Sequence, residues 1–221
     1  MNVTDALNAR FAVRAFKSET VNKEIISKIL ESALRAPSWG NTQPWDIYVA
    51  GGDTLERIRK KAMENFIKGV PPSPDIPAPE KWPAALEWRT ADLISKRNKA
   101  TGLDPNDKLT RLAISRLAHN FFGAPIVIYL CMDKALGQWS MFDMGAISQS
   151  IMLAAAEKGL GTTPAVLLVG YPDLIREEMK IPKNLSIVFG ISLGYADANH
   201  PQNKARSPRR PIKEVVSFSD F

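Results

Sequence analysis

Prolines interrupt the chain about one third of the way along its length. Residues 69–83 read GVPPSPDIPAPEKWP and hold six prolines in fifteen positions. Proline fixes its own φ and lacks an amide hydrogen, so this proline-rich segment can form neither a helix nor a central strand. Long irregular segments in compact domains often act as lids or binding loops. We therefore expect one domain over residues 1–221, with a Pro- and Trp-rich excursion at about 67–100 whose tryptophans, Trp82 and Trp88, dock onto an apolar surface.

Helical and extended patterns alternate on both sides of this segment. In residues 22–35 apolar positions recur at helical spacing behind the cap residue Asn22, and Pro37 ends the pattern. The same reasoning predicts helices at 53–66, 84–100, 105–121, 141–158 and 173–179, and strands at 45–50, 125–132, 164–169 and 185–194. Since the strands are mostly apolar runs, the predicted fold class is α+β, with a central sheet covered by helices on both faces.

Cysteine and histidine are scarce. Cys131 is the only cysteine, and neither His119 nor His200 has a second histidine four residues further on. We therefore expect no metal site, and we expect Cys131 to be a buried hydrophobic residue inside its apolar run. No stretch reaches the roughly 20 apolar residues of a membrane span, and the first residues do not resemble a secretion signal. These features favour a cytoplasmic protein that does not contact a membrane.

Positive charge is concentrated near the two ends of the chain, whose net charge is +6. Residues 204–213 contain five cationic side chains, and Arg10, Arg14 and Lys17 form a second group. Such clusters predict an anionic ligand, which is a nucleic acid, an acidic surface or a small phosphate-bearing molecule; a solvated tail is the alternative. No nucleic-acid recognition motif accompanies the clusters, so nucleic acid is not the expected partner.

One short motif matches a signature of hydrolases. Residues 190–194, GISLG, match the G-x-S-x-G nucleophile elbow of α/β-hydrolases. That elbow needs a strand, a sharp turn and a helix, whereas this motif lies within an apolar strand and is followed by a polar, non-helical stretch. Asp197 and His200 are also too close in sequence for the usual triad. Small residues in a tightly packed strand are the better interpretation.

Two segments carry groups suited to binding a ligand. In residues 10–16, RFAVRAF, two arginines four positions apart can converge on one anion while the aromatic residues pack inward. Residues 36–45, APSWGNTQPW, hold polar groups able to hydrogen-bond a planar heterocycle, in a connection stiffened by two prolines. The alternatives are an ordinary amphipathic stretch and a well-capped helix-to-strand connection.

With Arg206-Ser207-Pro208-Arg209, these segments resemble the nitroreductase family over almost the whole chain. Its motifs occur in order: R-x-x-x-R from Arg10, A-P-S-x-x-N-x-Q-P-W from Ala36, GLGTTP at 159–164 and R-x-x-R-x-P-x-x-E-V from Arg206. The NFFGAP segment at 120–125 and the excursion are most similar to nitrobenzoate-type reductases. The resemblance implies a nitroreductase-like fold with a mostly antiparallel sheet. It also implies an intertwined homodimer with FMN at the subunit interface and NADPH or NADH as electron donor.

The resemblance further implies which residues contact FMN. They are Arg10, Phe11, Ala12, Arg14, Pro37, Ser38, Trp39, Asn41, Asp143, Pro164, Ala165, Val166, Arg206 and Arg209. Three arginines, at 10, 206 and 209, would bind the phosphate. Arg14 would lie near flavin N1 and O2, where a cation stabilises the charge of the reduced ring.

Other contacts follow from the same resemblance. Pro37, Ser38 and Asn41 would reach the FMN of the partner subunit. Asp143 would lie near the pyrimidine edge, and the backbone at 164–166 would face N5 and O4. No side chain is expected to act as a catalytic acid or base, since the chemistry would occur at flavin N5.

The implied reaction is a ping-pong transfer of hydride from NAD(P)H to a small aromatic substrate, either a nitroaromatic or a quinone. The Trp82–Trp88 region would cover the pocket. A flavoenzyme of the same fold with another acceptor (a flavin reductase, an ene reductase or a dehalogenase) is the alternative, although residues 69–100 lack the tyrosine expected in a deiodinase lid. A basic nucleic-acid-binding protein is the third hypothesis, and its affinity would fall steeply with salt.

Overall fold

A four-stranded antiparallel sheet lies at the centre of the structure, a computed structural model that describes residues 1–102, 104 and 106–220. The strand order is β1-β2-β4-β3, where β1 is Asp46–Gly51, β2 is Ile126–Asp133, β3 is Gly161–Pro164 and β4 is Leu185–Gly194. The α-helices of the described residues are α1 Val3–Ala9, α2 Lys23–Ala33, α3 Gly52–Ile67, α4 Ala84–Thr101, α5 Lys108–His119, α6 Gln138–Glu157 and α7 Pro172–Met179. The α+β class and the antiparallel sheet are confirmed.

Strand β2 separates two hydrophobic layers. The side chains of Ile128 and Leu130 pack with α2 and α6 on one face, and those of Val127 and Tyr129 pack with α3 and α7 on the other. Successive side chains of a strand point to opposite faces, so an unbroken apolar run is what a doubly covered strand requires. The prediction of a sheet covered on both faces is therefore confirmed.

The beginning of α2 shows how local sequence positions a helix. The Asn22 side chain accepts a hydrogen bond from the Glu24 amide at 2.8 Å, which satisfies one of the free amides of the first turn. Ile26, Ile29 and Ala33 then form the buried stripe that faces the sheet. This helix begins and ends within two residues of the predicted bounds.

The predicted strand at 164–169 is wrong. β3 ends at Pro164, and Val166–Val169 form a 3₁₀ helix. Pro164 has no amide hydrogen with which to continue the ladder. Leu168 then packs over Gly190, where an added Cβ would lie 2.6 Å from the Leu168 Cβ. A short apolar run does not distinguish a buried strand from a buried helical turn, which explains the error.

Two interpretations of single residues are confirmed. Ser192, the serine of the G-x-S-x-G match, lies inside β4 with no exposed surface, and its hydroxyl donates to the Phe121 carbonyl at 3.4 Å. Cys131 is fully buried, and this burial raises the pKa of its thiol to about 12. Neither side chain is placed to act as a nucleophile on a ligand.

The proline-rich segment runs as a coil from α3 to α4 and is attached to the α7 side of the sheet. The Ser73 amide donates to the Gly170 carbonyl at 2.9 Å. Asp75 forms an ion pair with Arg176 and also accepts the Ile187 amide at 2.7 Å. Both side chains of the ion pair are mostly buried, so this contact anchors the middle of the segment.

Replacing Asp75 with alanine is expected to destabilise the fold by about 2–4 kcal/mol, because it removes the buried carboxylate that pairs with Arg176 and leaves the Ile187 amide without its acceptor. Asp173 supplies a matched control, since it pairs with the same Arg176 but its side chain is fully exposed. The Asp173→Ala change should cost less than about 1 kcal/mol. Urea unfolding at one fixed protein concentration measures both values, and equal losses would contradict the anchoring role.

A single chain exposes much more surface than a compact monomer of its size. Its accessible surface is 13377 Å², whereas the scaling law for monomers of this mass gives about 10,000 Å². The described residues of α4 and α5 include no buried side chain. Trp82 and Trp88 are 50% and 60% exposed, so the expected docking of these tryptophans is not found within one chain.

No helix among the described residues is long and apolar enough to cross a membrane.

Candidate functional site

The segment that holds Arg10 and Arg14 lies beside the edge of the sheet. Ala12 forms a parallel bridge with Thr162 of β3, and the Val13 amide donates to the Thr162 carbonyl at 3.0 Å. From the other side, the buried side chain of Asn203 accepts the Arg14 amide at 2.7 Å. The backbone of Arg14 is thus held between β3 and the C-terminal region. Sequence reasoning missed Asn203, because a single asparagine before a basic run carries no distinctive pattern.

The two ends of the chain meet at a cluster of three arginines, Arg10, Arg206 and Arg209. The guanidinium of Arg206 lies 3.5 Å from the centre of the Phe11 ring. Burial lowers the pKa of Arg10, and the nearby charge of Arg209 lowers it further. Within the described part of the chain, none of the three forms an ion pair with a carboxylate. Arginines gathered in this way favour binding of an anion with several oxygen acceptors.

Arg14 lines a cavity of about 580 Å³. Pro164 and Ala165 line one wall, and Val166 starts the adjoining 3₁₀ helix with 47% of its surface exposed. Burial lowers the pKa of Arg14, and the charge of Arg97 lowers it further. The cavity is completed by polar residues that the sequence did not single out: Arg97, Asn98, Arg111, Ser115 and Gln202.

The loop between α2 and β1 is held in an uncommon backbone conformation. Gly40 and Asn41 both have positive φ, at 59° and 56°. Glycine adopts this left-handed region readily, whereas asparagine does so at some cost, and such strain often accompanies ligand contacts. The Ser38 hydroxyl stabilises the loop by accepting the Gln43 amide at 2.9 Å.

Below this loop lies the buried carboxylate of Asp143. Its Oδ1 accepts the Trp39 amide at 3.1 Å, while Oδ2 is buried without a hydrogen-bond partner among the described residues. Trp39, Trp139 and Phe142 surround it, each about 70% exposed, and with Pro37 they line a second cavity of about 500 Å³. A buried carboxylate oxygen without a donor is costly, so a ligand donor is the natural complement.

The residues that the resemblance assigns to FMN therefore fall into two sets in one chain. The first set lies around the larger cavity and the arginine cluster: Arg10, Phe11, Ala12, Arg14, Pro164, Ala165, Val166, Arg206 and Arg209. The second set lies around the smaller cavity or in the loop beside it: Pro37, Ser38, Trp39, Asn41 and Asp143. The larger and the smaller cavity share no lining residue among the described residues. Asp143 belongs with the loop expected to reach the partner subunit rather than with Arg14.

The two sets together fit an FMN molecule. The arginine cluster suits the phosphate, and the larger cavity has room for a ring system with a guanidinium at one edge. The unsatisfied Oδ2 of Asp143 suits a ring N–H donor. These are properties of the side chains themselves and do not depend on the resemblance.

Comparison with known proteins agrees with this geometry. The sequence profile of the Nitroreductase family matches residues 7–195. The chain belongs to the nitroreductase family. A nitrobenzene nitroreductase from Ectopseudomonas oleovorans is 32% identical to it, and the alignment covers 98% of this chain and 96% of that protein. A 4-nitrobenzoate reductase from Pseudomonas putida is also 32% identical, over 96% and 93% of the two chains.

A solved structure extends the likeness to three dimensions. The FMN-dependent nitroreductase NfnB from Mycobacterium smegmatis, solved in complex with NADPH, superposes on this nitroreductase-family chain with a TM-score of 0.91 at 30% identity. The match covers 99% of this chain and all of NfnB. The matched region therefore spans nearly the whole chain, including the proline-rich segment, and not the sheet alone.

Proposed function

We propose that this nitroreductase-family chain is an FMN-dependent oxidoreductase that transfers hydride from NADPH or NADH to nitroaromatic or quinone acceptors by a ping-pong mechanism. The arginine cluster at 10, 206 and 209 carries the proposal, since three guanidiniums without a described carboxylate partner favour binding of an anion such as a phosphate. The relatives named for nitrobenzene and 4-nitrobenzoate, and the FMN- and NADPH-dependent structure, support the same chemistry. Because NAD(P)H is the proposed donor, we place the enzyme in the cytoplasm.

The side chains of this protein bind and orient rather than exchange protons. The redox chemistry that FMN supplies when bound is acceptance and donation of a hydride at N5. The backbone of Arg14 is held by Asn203 beside β3, and its side chain lines the larger cavity, where its fixed positive charge would stabilise negative charge on a ring bound there. Pro164 and Ala165 form a rigid wall against which a flat ligand can lie. Positioning of two flat reactants in turn accounts for most of the rate enhancement.

The active form proposed here is a homodimer in which each site takes one set of residues from each subunit. The excess over a compact monomer is about 3,300 Å² per chain, or about 6,600 Å² for two chains, which is ample for the interface of an obligate dimer. The exposed aromatic residues around Asp143 form an apolar patch, and exposed apolar patches of this kind often mark protein–protein interfaces. Pairing this patch with the larger cavity of a second copy would join the loop at 37–41 to the arginine cluster.

Transient reoxidation tests the choice of acceptor. The purified protein is loaded with FMN and reduced with one equivalent of NADPH without oxygen. It is then mixed with nitrobenzene or with 1,4-benzoquinone while the flavin absorbance is followed, or with free FMN and cytochrome c while reduction of the cytochrome by the free reduced flavin is followed. We expect nitrobenzene and benzoquinone each to restore the oxidised spectrum at a rate that rises with their concentration. Reoxidation by free FMN alone would instead assign a flavin reductase and overturn the proposed acceptor class.

A further inference from the structure

The larger cavity contains more positive charge than one cofactor ring needs. Three arginines line it, Arg14, Arg97 and Arg111, and no aspartate or glutamate occurs among its described lining residues. Arg14 is held at the Pro164 side by its backbone bond to Asn203. Arg97 enters from α4, on a different element, and brings a second positive charge toward the same space.

The side chain of Arg97 is partly buried where it lines the cavity. Its Nε is buried and has no hydrogen-bond partner among the described residues, and its guanidinium forms no ion pair there. Its charge is close enough to Arg14 to lower the pKa of that side chain. Two neighbouring guanidiniums repel each other in a partly dry cavity, so a negatively charged occupant stabilises both.

The remaining walls suit an aromatic ring. Ile94, Ile114, Leu117, Phe122 and Leu167 supply most of the apolar lining. Ligand sites of this kind bury a flat apolar body and orient it with a few placed polar groups. A sugar or a phosphate chain would leave these apolar side chains against polar atoms, whereas an aromatic ring would cover them. The cavity thus combines an apolar slot with positive charge in addition to that of Arg14.

We propose that Arg97 binds a carboxylate on the acceptor, so that the site prefers aromatic acceptors bearing an acidic group over neutral ones of the same size. A guanidinium binds a carboxylate through two parallel hydrogen bonds, which also fixes the orientation of the ring. The inference rests on the proposed function, because it describes the acceptor of that reaction. Oxidised nicotinamide is itself a cation, so the same pair of arginines also favours its departure before the acceptor enters.

The test compares two acceptors of similar shape in two variants of α4. Arg97→Gln removes the proposed carboxylate ligand, and Lys99→Gln removes the same charge from an exposed position two residues away that does not line this cavity. With saturating NADPH, Arg97→Gln should lower kcat/KM for 4-nitrobenzoate roughly 10- to 100-fold, while kcat/KM for nitrobenzene changes by less than about twofold. Lys99→Gln should leave both within about twofold, and Arg97→Lys should restore part of the loss.

A second readout separates this inference from the proposed function. Benzoate cannot be reduced, so calorimetric titration of benzoate into the FMN-loaded protein measures carboxylate binding alone, and its dissociation constant should rise by the same factor in Arg97→Gln. Equal losses for both acceptors, a changed preference between NADPH and NADH, or weakened FMN binding would each overturn the assignment of Arg97. If the wild-type protein reduces neither acceptor, the proposed function fails, while the benzoate titration still decides whether Arg97 binds carboxylates.

Discussion

The dissociation constant for FMN is expected to rise roughly 100-fold or more when Arg10 and Arg209 are both replaced by glutamine, because each charge-assisted hydrogen bond to a phosphate contributes about 1.5–3 kcal/mol. The two side chains come from distant parts of the sequence. They lie close enough in the structure for the charge of Arg209 to add to the effect of burial in lowering the pKa of Arg10. Glutamine keeps a polar side chain of moderate length and removes the charge. Fluorescence quenching of free FMN measures the affinity of each variant.

Arg210→Gln is the matched control for this experiment. Arg210 is adjacent to Arg209 in sequence, but its guanidinium is paired with Glu214, so it is not part of the arginine cluster. We expect its replacement to change FMN affinity by less than about twofold. Wild-type affinity should also fall as salt is added, and the double variant should be less salt-sensitive. Similar losses in Arg210→Gln and in the double variant would show that general positive charge, rather than the cluster, binds FMN.

The second large effect is expected at the exposed aromatic patch. Phe142→Arg should convert the protein from a dimer to a monomer and abolish stable FMN binding, because it places a charge where two apolar surfaces are proposed to meet. Phe142 is 73% exposed in one chain and lies beside Trp139 on α6. Because Phe142 is so exposed, its replacement should change the stability of the single chain little. A loss of FMN binding would therefore arise from loss of the dimer. Sedimentation velocity with detection at both protein and flavin wavelengths measures the two properties together.

Ile67→Arg provides the control for the dimer experiment. Ile67 ends α3, which packs on the opposite face of the sheet from α6, and it is 69% exposed. We expect this variant to remain dimeric and to retain FMN. A Phe142→Arg monomer that still holds FMN with wild-type affinity would mean that one chain builds the whole site, contrary to the division of residues between two subunits.

Periodicity predicted most of the fold because each signal arises from local physics. The Asn22 cap and the apolar spacing of residues 22–35 produce α2, and the apolar run 126–132 produces β2. The run at 164–169 was wrongly predicted as a strand. Its helical turn packs Leu168 on Gly190, a contact with the neighbouring strand β4 that the local sequence does not indicate. The attachment of the proline-rich segment through Asp75 likewise depends on α7, which no local pattern near Asp75 indicates.

The site was less accessible to sequence reasoning than the fold. The basic clusters at the two ends predicted an anion, but only the tertiary structure brings Arg10 and Arg209 together. Sequence reasoning missed Arg97, because α4 carries several cationic side chains and no local pattern distinguishes this one. Only the tertiary structure shows that Arg97 lines the larger cavity together with residues of α5 and Ala165. The grouping of Asp143 with Trp39 rather than with Arg14 also follows from the packing of α6 under the loop.

The proposed FMN- and NAD(P)H-dependent activity is tested most directly by the visible absorption spectrum of the protein during titration with FMN, followed by anaerobic addition of NADPH. We expect saturation at one FMN per chain and complete bleaching of the bound flavin band by one equivalent of NADPH. A protein that remains colourless after incubation with FMN, or a bound flavin that neither NADPH nor NADH reduces, would contradict the proposed activity.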